Sequence, residues 1–87
     1  MKEITLEAAK MTNKDEALKH IAKKLDFPEY FGNNFDALND CLTDISEETS
    51  ISIDNEELFK GNLGVYAEII KKVFQFAAKQ NKNLKFK

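Results

Sequence analysis

The chain has 87 residues, of which 43% are apolar and seven are Phe, so it is expected to bury one small core. Its single Cys excludes an internal disulfide, and its formal net charge is −2. No apolar run approaches the roughly 20 residues that cross a bilayer. Residues 1–7 lack the continuous apolar segment of a signal peptide. We therefore expect one domain over residues 1–87, in the cytoplasm.

The small net charge conceals a strong segregation of charge along the chain. Between Leu25 and Phe59 there is no basic residue, whereas ten acidic residues fall there. They are Asp26, Glu29, Asp36, Asp40, Asp44, Glu47, Glu48, Asp54, Glu56 and Glu57. The rest of the chain has thirteen Lys, no Arg and five acids. Segregation of this kind indicates a charged partner.

The first third of the chain predicts a strand, a helix and a loop. Ile4 and Leu6 alternate with polar neighbours, which is typical of a strand with one buried face. Asn13 is followed three residues later by a Glu and then by an apolar stripe at helical spacing, so it is predicted to cap a helix. Because Pro28 cannot lie inside that helix, residues 26–33 are predicted to form a loop.

A second helix is predicted to begin near Asn34. Its apolar face would consist of Phe35, Leu38, Cys41, Leu42 and Ile45. Its polar face would consist of Asp36, Asn39, Asp40, Thr43 and Asp44.

The second half predicts the remaining elements of an α/β fold. Alternation over residues 49–54 and 83–87 predicts two more strands, and residues 65–80 form the clearest helical pattern. A short helix is predicted from Asn55 to a stop near Gly61 or Gly64. The stripe of the long helix would be Tyr66, Ile69, Ile70, Val73, Phe74 and Ala77. We expect a small three-stranded parallel β-sheet with three to four α-helices on one face.

The sequence offers little for catalysis or metal binding. His20 is the only His, and its offset from the apolar stripe predicts a solvent-exposed side chain. Cys41 is predicted to be a small core residue. One Cys and one His provide neither a nucleophile–base pair nor a zinc site, and no phosphate-binding glycine loop is present. We therefore expect neither an enzyme nor a cofactor.

Three aspartates at a spacing of four residues stand out. On a helix, Asp36, Asp40 and Asp44 line one face, and like charges at this spacing cost a few tenths of a kcal/mol per pair. Asp44 also lies at the helix end that disfavours anions. The three form either an ordinary solvated face or a surface for a cationic partner. The aromatic pair Tyr30 and Phe31 precedes them and would suit the second interpretation.

Residues 27–43 form a segment whose sequence resembles that of a known protein family. They read Phe27-Pro28-Glu29-Tyr30-Phe31-Gly32-Asn33-Asn34-Phe35-Asp36-Ala37-Leu38-Asn39-Asp40-Cys41-Leu42-Thr43. This segment closely resembles the barstar family of intracellular ribonuclease inhibitors, whose pattern is a P-E-Y-[YF]-G loop followed by an N-[LF]-D-A-L-x-D-C-L helix. The order of predicted elements also resembles the family fold over essentially the whole chain.

The resemblance implies roles for individual residues. In barstar-like proteins the second helix and the loop before it block the active site of a ribonuclease. By position in the motif, Asp40 would take the place of the substrate phosphate, and Asp36 would offer a second carboxylate to the basic rim. Tyr30 would pack over the catalytic centre, with Gly32 and Asn34 making backbone and amide contacts.

Two positions depart from the family pattern. Asn39 stands where the family often has Trp, and Phe76 stands where its last helix often offers a Glu. Phe76 is predicted at the edge of the apolar stripe, either as a flanking core residue or as an apolar contact with the partner. We include Asn39, Thr43, Asp44 and Phe76 in the predicted partner-binding site.

The resemblance implies a cytoplasmic bacterial immunity protein that is a monomer when free. Its partner would be a small cationic, barnase-like ribonuclease or ribonuclease toxin domain, bound 1:1. The alternative is a barstar-like adaptor or regulatory module that binds a different basic protein. Direct binding of nucleic acid or membrane is not expected, because Arg is absent, the net charge is negative and no recognised motif is present.

Overall fold

A computed structural model describes residues 2–28 and 34–87 of the chain. The strands are β1 (Lys2–Leu6), β2 (Thr49–Ile53) and β3 (Leu84–Phe86). The helices are α1 (Lys14–Leu25), α2 (Phe35–Thr43), α3 (Glu56–Leu63) and α4 (Val65–Gln80), and a 3-10 turn spans Ala8–Lys10. The predicted α/β fold is confirmed, with four helices.

The three strands form one parallel sheet in the order β1-β2-β3. Ile4, Ile51 and Phe86 are partners across the strands, and so are Glu3, Ser50 and Lys85. The first row lies on the face that carries the core, because Ile51 is fully buried and the other two pack against it. The second row lies on the polar face. The helices therefore cover one face of the sheet, as predicted.

Three helices begin with the same device. The side chains of Asn13, Asn34 and Asn55 accept a hydrogen bond from the backbone N–H three residues later, over 2.9, 2.7 and 3.1 Å. Each bond satisfies one of the N–H groups that a helix start leaves without an intrahelical partner. The predicted cap at Asn13 is thus confirmed. The predicted loop that follows α1 includes residues 29–33, which lie outside the described residues.

Gly64 joins α3 to α4 with no intervening linker. It ends α3 and begins α4, with φ 57° and ψ −127°. An L-residue with a side chain rarely adopts this combination, so glycine is required for the corner. The corner fixes the direction in which the 16-residue helix α4 leaves α3.

The buried stripe of α4 differs from the predicted one. Ala67, Ile70, Phe74 and Ala77 are buried, whereas Ile69 and Val73 are only partly so. Tyr66 is 40% exposed and therefore does not belong to the core. The apolar residues of α4 cover a wider face than the part that is buried. Tyr66, at the edge of this face, stacks on Phe35 of α2 instead.

His20 was predicted to be solvent-exposed, and that prediction is wrong. Only 8% of the residue is exposed, and its Nε2 accepts a hydrogen bond from the backbone N–H of Glu7 over 3.0 Å. Glu7 directly follows β1, where its N–H has left the sheet ladder and needs another partner. Burial lowers the pKa of His20, Lys24 and Lys10 lower it further, and Glu7 and Asp54 oppose these effects.

Candidate functional site

Helix α2 is held against α4 near both of its ends. At its start, the rings of Phe35 and Tyr66 stack with centroids 6.3 Å apart. At its end, Asn81, which follows α4, donates its Nδ2 hydrogens to the carbonyls of Leu42 at 3.0 Å, Thr43 at 3.3 Å and Ile45 at 2.9 Å. The sequence did not single out Asn81, because an Asn after a helix carries no signal for such a distant contact. Contacts near both ends therefore fix the position of α2, and with it the position of its outer face.

The outer face of α2 carries three exposed carboxylates. Asp36, Asp40 and Asp44 are all exposed, as the sequence predicted. Among the described residues, no ion pair involves any of the three, and the last turn of α2 has no basic residue. By contrast, Glu56 of α3 pairs with Lys71 over 2.7 Å. The carboxylates of α2 thus form no ion pair with a lysine of the described residues.

Two polar residues border this acidic face. Thr43 is exposed, and its Oγ1 donates to the carbonyl oxygens of Asn39 at 3.0 Å and of Asp40 at 3.1 Å. Asn39 is half-buried, and its Oδ1 is sealed from solvent without a hydrogen-bond partner. It is the only buried side-chain polar atom in this condition in residues 2–28 and 34–87.

A recess of about 410 Å³ adjoins the acidic face of α2. Its lining combines the carboxylate residues Asp26, Asp40, Asp44 and Glu47 and one lysine, Lys2, with the apolar Phe27, Pro28 and Ile45. Cys41 lines it too and is half-buried, so it packs at the edge of the core in which it was predicted to lie. Burial raises the pKa of the Cys41 thiol, with smaller contributions from Asp40 and Asp44. A thiol with a raised pKa is a poor nucleophile.

Phe76 lies on the exposed side of α4. It is 56% exposed, so it is not a core residue. Relative to Tyr66, which faces α2, Phe76 is rotated by about 80° around the helix axis. Its membership of a surface shared with α2 remains a prediction.

Three predicted site residues belong to the loop and helix start before α2. Tyr30 and Gly32 lie outside the described residues. The Oδ1 of Asn34 caps α2 through the N–H of Ala37, so this oxygen has a structural task. Asn34 is exposed, at the start of the acidic helix.

The described residues hold neither a metal cluster nor a membrane-spanning helix. In residues 2–28 and 34–87, no group of three or more His, Cys, Asp or Glu side chains is placed to hold a metal ion. No helix in these segments combines the length and apolar character that a bilayer crossing requires.

Comparisons with known proteins place this chain in a family. The family model described as "Barstar (barnase inhibitor)" matches residues 1–87. A protein of Bacillus subtilis (strain 168), named "Putative ribonuclease inhibitor YrdF", is similar to this chain. The two are 33% identical over 84 residues, which cover 95% of this chain and 92% of the relative. The predicted resemblance is confirmed, and the chain belongs to the barstar family.

Proposed function

We propose that this protein inhibits a small basic ribonuclease by covering its active site with α2 and the loop that precedes it. Family membership and the name of the Bacillus subtilis relative support an inhibitor of ribonucleases. The complex is 1:1, the free protein is a monomer, and the protein acts in the cytoplasm as an immunity protein. Its target is a barnase-like ribonuclease or a ribonuclease toxin domain.

The observation that carries this proposal is the uncompensated acidic face of α2. Active sites that cleave RNA present cationic side chains to a phosphate. Carboxylates on a helix that is held near both ends offer negative charge in a fixed place, with no phosphodiester to cleave. Uncompensated charge also extends an attractive field that speeds encounter with a cationic protein at low salt. A bound cationic partner relieves the repulsion within the face.

The residues of the site have distinct roles. Asp40 occupies the place of the substrate phosphate, and Asp36 pairs with the basic rim of the ribonuclease. Tyr30 packs over the catalytic centre, with Gly32 and Asn34 in contact beside it. The edge of the interface consists of Asn39, Thr43, Asp44 and Phe76.

The test compares two variants that remove the same charge from different places. The purified protein is titrated against a set of small basic ribonucleases that includes barnase, and RNA cleavage is measured. Asp40→Asn removes a carboxylate of α2, and Glu57→Gln removes an exposed one in the first turn of α3. We expect Asp40→Asn to weaken inhibition by roughly ten- to a hundredfold, which is the worth of one hydrogen bond to a charged group. Glu57→Gln should change it little.

Salt provides a second readout. Inhibition by the wild-type protein should weaken as ionic strength rises, because the exposed carboxylates of α2 are screened. The proposal is wrong if none of the ribonucleases is inhibited, or if Asp40→Asn and Glu57→Gln behave alike.

A second candidate function is that of an adaptor that binds a different basic protein. The observation in its favour is Phe76, an apolar side chain 56% exposed where the family often has a Glu. Pull-down from a lysate separates the two candidates. A basic protein without nuclease activity that binds the wild-type protein, but not Asp40→Asn, would support the adaptor.

A further inference from the structure

The carbonyl oxygen of the Asn39 side chain is an anomaly in the free protein. It is sealed from solvent and accepts no hydrogen bond. Buried acceptors in native proteins almost always have a partner, because an acceptor that has left water without one destabilises the fold. An exception next to Asp40, on the helix that carries the acidic face, requires a physical explanation.

None of the residues that the structure describes donates a hydrogen bond to this oxygen. One turn earlier on the same flank of α2 is Phe35, whose ring stacks on Tyr66 of α4. Two turns beyond Tyr66 on α4 is Val73, which is apolar and half-buried. A shift of the whole helix to bring a donor closer would break the Phe35–Tyr66 stack and the hydrogen bonds of Asn81.

The outer face of α2 supplies no donor either. Asp36 and Asp40 carry carboxylates, which only accept hydrogen bonds when ionised. Thr43 already donates its hydroxyl hydrogen to the carbonyl oxygens of Asn39 and Asp40. If the Asn39 side chain turns outward, its oxygen can therefore be satisfied only by water or by a bound partner.

We propose that Asn39 is a specificity-determining contact, whose oxygen accepts a hydrogen bond from an N–H group of the ribonuclease when the side chain turns outward in the complex. The inference rests on the proposed function and adds a chemical requirement to it. The partner must present a donor beside the cationic site that receives Asp40. A ribonuclease with an apolar or accepting group there would be bound less tightly, because the oxygen would remain unsatisfied.

The test separates the stability of the free protein from its inhibition of ribonuclease. Asn39→Leu keeps the branching at Cγ without the acceptor but is bulkier, and Asn39→Ala lacks both the acceptor and the bulk. We expect both variants to have a higher midpoint of thermal unfolding than the wild-type protein. The ribonuclease used is one that Asp40→Asn inhibits more weakly than the wild-type protein does. Both Asn39 variants should inhibit this ribonuclease about tenfold more weakly than the wild-type protein, which corresponds to the loss of one hydrogen bond.

Asn62→Ala is the matched control. Asn62 is also a half-buried helical Asn, but its Nδ2 donates to the carbonyl of Ala8 over 3.2 Å, in a part of α3 that does not contribute to the proposed site. Its replacement gives the same gain in helix propensity and loses a hydrogen bond. We therefore expect a lower unfolding midpoint than for Asn39→Ala, and inhibition equal to that of the wild-type protein.

Each other outcome has a definite meaning. The assignment of Asn39 is overturned if Asn39→Ala inhibits as well as the wild-type protein. This holds even if Asn39→Leu inhibits more weakly, because the bulk of Leu would then explain its loss. It is also overturned if neither variant is more stable than the wild-type protein, since the oxygen would then carry no penalty. If the wild-type protein inhibits no ribonuclease, the proposed function fails and the assignment fails with it. If Asp40→Asn weakens inhibition and Asn39→Ala does not, only the assignment is wrong.

Discussion

Replacement of Gly64 by Ala isolates the energy of a single backbone conformation. The residue has φ 57° and ψ −127°, and a Cβ added there would meet no heavy atom within 4 Å. Since no clash arises, the cost is only that of holding an L-residue in a sparsely populated region, about 1–3 kcal/mol. For a domain of this size, each kcal/mol lowers the unfolding midpoint by roughly 4–8 °C. Thermal and urea unfolding should both show the loss.

Gly61→Ala is the matched control because it introduces the same methyl group in the same helix. Gly61 lies inside α3, lacks a positive φ, and an added Cβ would again meet nothing within 4 Å. We expect Gly61→Ala to raise the free energy of unfolding by about 0.5–1 kcal/mol, as Ala replaces a helical Gly. If Gly64→Ala is as stable as the wild-type protein, or if both variants shift in the same direction, the torsional argument is wrong.

Two further predictions concern buried side chains. His20 accepts from Glu7 only when neutral, so the unfolded chain takes up a proton at the ordinary pKa of 6.5 while the native protein resists it. The free energy of unfolding should therefore have its full value above pH 6.5 and decrease as the pH falls below 6.5. In urea titrations at pH 7.5 and 5.5, the difference between the two free energies should be smaller for His20→Gln than for the wild-type protein. An equal difference in the two proteins would contradict this role of His20. Asn81→Leu removes the donor that serves three carbonyls of α2 and its end, and should cost about 2–4 kcal/mol of stability in urea unfolding. A loss below about 1 kcal/mol would mean that water replaces the amide.

The sequence was most informative where local signals agree. The bounds of α4 follow from a glycine before it, a long apolar stripe and a polar residue after it, and the structure has them at Val65–Gln80 as predicted. The acidic face of α2 was predictable for the same reason. A spacing of four residues places Asp36, Asp40 and Asp44 on one side of a helix, whichever element packs on the other side.

Contacts distant along the chain could not be read in the same way. His20 lies at the edge of a stripe, and its burial depends on a backbone N–H at the end of β1, thirteen positions earlier in sequence. Tyr66 lies outside the core, and its ring stacks on Phe35 of α2. The unsatisfied oxygen of Asn39 likewise depends on which groups the folded chain places around it. In each case the periodicity gives the direction of a side chain but not the group that it meets.

The amide of Asn81 has a consequence for the charge of the site. The end of a helix is often stabilised by Lys or Arg, which satisfies the last carbonyls and also adds positive charge. Here a neutral amide makes the bonds to Leu42, Thr43 and Ile45, so the helix end is capped without the addition of a net positive charge. Capping and charge are thereby separated: α2 is anchored to α4 without a cationic side chain in its last turn that would pair with Asp40 or Asp44 and compete with an approaching partner.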